Sequence, residues 1–131
     1  MTKMRLINLA GRQRMLTQQL IKLLLMKKFE VSSAYLEERI AKVKGEFEES
    51  LRILKESPEN SREIEKQLKK VDGKWAAFIK SINEDKIEIV IEKNGDVLIE
   101  MDRAVNLYEK LNPRYTASLW RPPFEKTKKS S

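Results

Sequence analysis

The chain contains neither cysteine nor histidine. Without cysteine there are no disulfides and no thiol chemistry, and redox usage says nothing about compartment. Without histidine the usual general base and the commonest metal ligand are missing. Glycine and proline number four each in 131 residues, while charged residues make up 36%. Long periodic Lys/Glu-rich segments with so few breakers indicate an all-helical protein of one domain with a modest core. No apolar run approaches the ~20 residues that a bilayer-crossing helix needs. The longest, Leu20–Met26, is interrupted by Lys22 and lies too deep for a signal peptide. The expectation is a soluble chain with no export signal and no membrane insertion. It would be cytoplasmic if Met1 is the native start, and periplasmic if the segment was cut from a transmembrane receptor.

Negative charge is absent from residues 1–29, which carry Lys3, Arg5, Arg12, Arg14, Lys22, Lys27 and Lys28. The remaining residues balance, so the net charge of +7 resides entirely in the first segment. A basic helix of this kind suits nucleic acid. However, no aromatic side chains interleave these cations, and the nucleic-acid reading ranks below an anion-binding one.

Apolar spacing predicts four helices. The first covers about residues 3–29 and has two stripes. One is Leu6, Leu9, Gln13, Leu16, Leu20, Leu23; the other is Ile7, Gly11, Arg14, Gln18, Ile21, Leu25. Both follow the coiled-coil seam rhythm. One face can pack inside the domain and the other is left for a partner chain. Ser32 and Ser33 are candidate caps for a second helix with the stripe Leu36, Ile40, Val43, Phe47, Leu51, Leu54. Ser57–Ser61 breaks the pattern, with proline allowed in a first helical turn. A third helix follows with Ile64, Leu68, Val71, Trp75, Phe78, Ile82.

Residues 86–101 are ambiguous. Ile87, Ile89 and Ile91 alternate, then Asn94-Gly95, then Val97, Ile99 and Met101, a good hairpin signal. The competing reading is a short helix to about Lys93 and a new helix capped by Asn94. Leu98, Met101, Val105 and Tyr108 continue a helical stripe that fits no strand, so helix is expected, ending at Asn112-Pro113. Short connections make this an antiparallel four-helix bundle over residues 1–113, with a flexible basic tail over 114–131.

The second stripe of the first helix places Gly, Arg and Gln in the middle of an apolar seam. A cation there is costly unless neutralised. A glycine one turn earlier opens space beside it. Space next to a positive charge on a packing face points to a small-anion site.

The run Ile7-Asn8-Leu9-Ala10-Gly11-Arg12-Gln13-Arg14-Met15-Leu16-Thr17-Gln18 closely resembles the opening helix of the PilJ-type sensor domain. That domain is the N-terminal ligand-binding module of type IV pili methyl-accepting chemotaxis transducers, related to NarX-like nitrate/nitrite sensors. Asn94, Val97-Leu98, Met101-Asp102, Ala104-Val105 and Tyr108 resemble the family's final helix, and Trp75 matches its third. The resemblance implies a homodimer through the first helix, with one anion, nitrate or nitrite, held between Arg14 of both subunits. It further implies close backbone approach at Gly11, with Asn8 and Met15 flanking and Arg12 less certain in role. It also implies a separate signalling partner, since no output module is present in this chain.

The chemistry suits an oxyanion. Nitrate is planar, and the guanidinium offers its donors in a matching fork. Two arginines facing each other at roughly 6 Å repel by about 3 kcal/mol at an effective dielectric near 20, and an anion between them reverses the sign. Gln13 and Gln18 read as interhelical hydrogen-bond partners, and Phe47, Trp75, Phe78 and Tyr108 as core. Glu37-Glu38 and Glu48-Glu49 read as solvated surface. No enzyme, metal or cofactor is expected.

Overall fold

The structure, a computed structural model, describes residues 2–29, 33–84 and 86–111. The proposed tail at 114–131 and the Asn112-Pro113 stop lie outside the described residues. Four helices follow in order: α1 (Lys3–Phe29), α2 (Ala34–Lys55), α3 (Arg62–Ile82) and α4 (Ile87–Leu111). No strand occurs among the described residues.

The helix starts follow from capping chemistry. The Ser33 hydroxyl accepts from the Leu36 backbone N–H at 3.1 Å, and Ser61 does the same for Ile64. Each satisfies one of the donors a helix N-terminus leaves unpaired. Pro58 lies in the turn ahead of Ser61, so α3 opens on the serine cap and not on the proline. Acidic Glu63 and Glu65 occupy the first turn of α3, where the helix dipole favours them.

The expected break at Asn94 does not exist. α4 runs unbroken through Asn94-Gly95. Asn94 is buried, and its side chain donates to the Thr17 carbonyl at 3.1 Å. The Asn-Gly pair therefore serves interhelical bonding, not a turn or a cap.

The stripes form one core. Leu36, Val43, Phe47, Leu51 and Leu54 of α2 are buried, with Ile40 partly so. Ile64, Leu68, Val71, Trp75 and Phe78 of α3 join them. Phe47 and Trp75 stack with ring centroids 3.9 Å apart, and the indole N–H donates to Glu48 at 3.0 Å. Glu48 thus anchors a core tryptophan from the surface. Tyr108 is buried, and its hydroxyl donates to Asn60 Oδ1 at 2.8 Å. Burial pushes the phenol pKa up, partly offset by the Asn60 bond, so the ring stays neutral at physiological pH.

Interhelical contacts pair α1 with α2 through Arg12–Glu46 and Lys27–Glu37. α2 meets α3 through Lys55–Asp72 as well as Phe47–Trp75. α3 and α4 are joined by Gln67 Nε2, which donates to both the carbonyl and the carboxylate of Glu100 at 2.8 Å. The Gln67 bond, helped by Arg103 and Lys70, holds the Glu100 carboxyl below the usual range against the opposing effect of burial. A carboxyl lowered on folding adds stability that is fully present above the usual carboxylate pKa. That contribution is lost as pH falls through the lowered value. Urea unfolding at neutral and at acidic pH should therefore show a smaller acid-induced loss for Glu100→Gln than for the native protein. Equal losses would contradict the assignment.

Candidate functional site

The inner stripe of α1 is Leu6, Leu9, Gln13, Leu16, Leu20 and Leu23. All are buried except Leu9, which is partly so. Gln13 is fully buried and its amide donates to the Phe47 carbonyl at 3.0 Å, an interhelical bond as its position on the stripe implied. Its Oε1 is the buried side-chain acceptor left without a partner among the described residues. Thr17 donates back to the Gln13 carbonyl at 2.8 Å while its own carbonyl accepts from Asn94. One turn of α1 is thus tied to both α2 and α4 by polar contacts inside an otherwise apolar core.

The second stripe turns outward at its middle. Ile7 is buried and Ile21 and Leu25 are partly covered, but Gly11, Arg14 and Gln18 are exposed. The Gln18 side chain makes no hydrogen bond among the described residues, so it departs from the expected interhelical role. A Cβ built at Gly11 would meet nothing within 4 Å. The glycine therefore relieves no crowding within the chain.

The five anticipated site residues fall into three groups. Asn8, Gly11 and Met15 form one exposed strip opposite the core, with Met15 66% accessible. Arg14 and Arg12 flank it on opposite sides, because two residues turn an α-helix by roughly 200°. Arg14 leans toward α4, with Nε 3.6 Å from Asp102 Oδ1. That spacing and about half exposure of both side chains make a loose pair. Arg12 leans toward α2 and donates to Glu46 at 2.7 Å. Both arginines flank the strip and each meets a carboxylate on its own side, Arg12 closely with Glu46 and Arg14 loosely with Asp102. Neither Asp102 nor Glu46 is marked as a counter-ion by the sequence pattern. Nothing in a helical stripe tells which of many surface acids a given arginine will meet.

Chemically, the strip is a flat helical surface with one loosely held guanidinium at its edge. Among the described residues no cluster of three potential metal-binding side chains exists. No helix described is long and apolar enough to cross a membrane.

These features define an all-helical domain whose first helix presents a glycine-centred, cation-flanked strip to its surroundings. The family model for the type IV pili methyl-accepting chemotaxis transducer N-terminal domain, PilJ, matches residues 4–104. The chain belongs to that family, which makes it a sensor or signalling domain of the chemotaxis-transducer type. Comparison with curated proteins and with solved structures gives no match.

Proposed function

We propose that the domain is a homodimeric sensor that binds a small oxyanion, nitrate or nitrite, between the α1 helices of two subunits. Arg14 supplies the guanidinium, Gly11 lets the backbones approach, and Asn8 and Met15 line the strip. The observation that carries this reading is the outward Gly11–Arg14 turn within a matched sensor family. A mid-helix glycine costs ~1 kcal/mol against alanine, and no neighbour in the protomer accounts for it. The ligand class rests on the resemblance of residues 7–18 to the PilJ-type opening helix and on the kinship that resemblance implies with nitrate sensors. The order of the interhelical contacts supports an up-down-up-down antiparallel bundle. Arg12 meets Glu46 whereas Lys27 meets Glu37, so α1 and α2 run in opposite senses. A separate signalling partner would read the rearrangement of α1.

Thermal shift tests it. Millimolar nitrate should raise the melting temperature by several degrees over equal chloride, since saturation at ~100 times Kd adds about 2.7 kcal/mol. Arg14→Ala should abolish the difference. Identical melting curves in the two salts would remove the anion from the proposal.

A second reading has its own support. Glu46 and Asp102 already face Arg12 and Arg14 within the protomer. With both cations partly neutralised, the domain could dimerise and relay signals without a ligand. Sedimentation with and without nitrate separates the two: only the sensor tightens its dimer when the anion is added.

A further inference from the structure

The sequence beyond residue 29 is electrically balanced, yet folding sorts its charges unevenly. A groove of about 400 Å³ between α3 and α4 is lined by Lys66, Lys70, Arg103 and Lys110 together with Gln67 and the acidic Glu63. Some cations elsewhere meet carboxylates, as Arg12 does Glu46, Lys27 Glu37 and Lys55 Asp72, and within the groove Arg103 meets Glu100. Lys66, Lys70 and Lys110 have no ion pair among the described residues.

The floor of the groove is built, not merely charged. Gln67 is 7% exposed and spends its amide hydrogens on the carbonyl and carboxylate of Glu100. Glu100, itself 8% exposed, holds Arg103 Nη1 at 3.0 Å through its other oxygen. A buried amide thus fixes a carboxylate, and the carboxylate aims a guanidinium. Fixing a long side chain in advance lowers the entropy lost when it binds a ligand. The remaining guanidinium donors of Arg103 make no hydrogen bond among the described residues and suit a tetrahedral oxyanion.

We propose that the α3–α4 groove is a second anion site, distinct from the α1 strip, that takes a phosphoryl group of multiple charge. Arg103 is the oriented donor, Lys66, Lys70 and Lys110 supply the field, and Gln67 and Glu100 are positioning residues. Several ammonium groups sharing one groove favour a di- or trivalent ligand over monovalent nitrate.

Titration calorimetry of the full chain with inorganic pyrophosphate at fixed ionic strength tests the site. Saturable binding is expected, with Arg103→Lys weaker by about tenfold, the loss of one charge-assisted hydrogen bond. Glu100→Gln gives the sharpest outcome. It removes a negative charge, so a mere cationic patch would bind pyrophosphate more tightly. An aimed arginine loses its support, and binding weakens. Arg14→Ala should leave the titration unchanged. Vesicles with anionic phospholipid, against neutral ones, tell a lipid headgroup from a free phosphorylated ligand. Failure of pyrophosphate to saturate, or tighter binding by Glu100→Gln in a protein of native helicity, would overturn the proposal.

Discussion

Replacing Phe47 with alanine should destabilise the protein by about 3–5 kcal/mol, the usual loss for a truncated core phenylalanine. The large value follows from where this ring sits. Phe47 is fully buried and stacked on Trp75 at 3.9 Å. Its own carbonyl receives the Gln13 amide, so three helices meet at one residue. Removing the ring leaves a cavity beside an indole that is itself pinned to Glu48, which restricts collapse into the gap. Urea denaturation followed by far-ultraviolet circular dichroism measures the change. A loss under 1.5 kcal/mol, in the range of volume-conserving swaps, would show that the core repacks freely around Trp75.

Replacing Gly11 with leucine should move two quantities in opposite directions. Within the protomer the added Cβ meets open space, and leucine is the better helix former by somewhat less than the ~0.8–1 kcal/mol that separates glycine from alanine. At concentrations where the protein is monomeric, its melting temperature should rise. If α1 pairs with a second copy at this glycine, the same side chain overpacks the contact at a cost of typically 1–3 kcal/mol. The dimer constant should then weaken by about tenfold or more. Sedimentation equilibrium of the two proteins reads this directly. A more stable protomer with an unaltered dimer constant would place the interface somewhere other than the glycine strip.

Helix identity was legible because the apolar stripes of α2 and α3 repeat without conflict and supply most of the buried residues of both helices. α1 was harder. Its two stripes have similar rhythm, and periodicity alone cannot say which one its own domain claims. The residues decide it: the stripe with Leu6, Leu16, Leu20 and Leu23 goes inward, and the one interrupted by Gly11, Arg14 and Gln18 is exposed at its middle. Asn94-Gly95 misled at the level of boundaries, because a buried hydrogen bond to a residue 77 positions away outweighs local turn preference. The α3–α4 groove was invisible in advance. Lys66 and Lys70 share a helix face, but nothing in the spacing brings Arg103 and Lys110 to them until the helices dock.

The Asn94–Thr17 bond also bears on the order of assembly. α3 and α4 adjoin in sequence, so their pairing closes a short loop, whereas α1 must wait for α4 to be made and positioned. During synthesis α1 can meet α2 early, through Gln13 and the Phe47 carbonyl, and its contacts with α4 form only once the fourth helix is made. Until then only the α4 side of that polar turn is left to water.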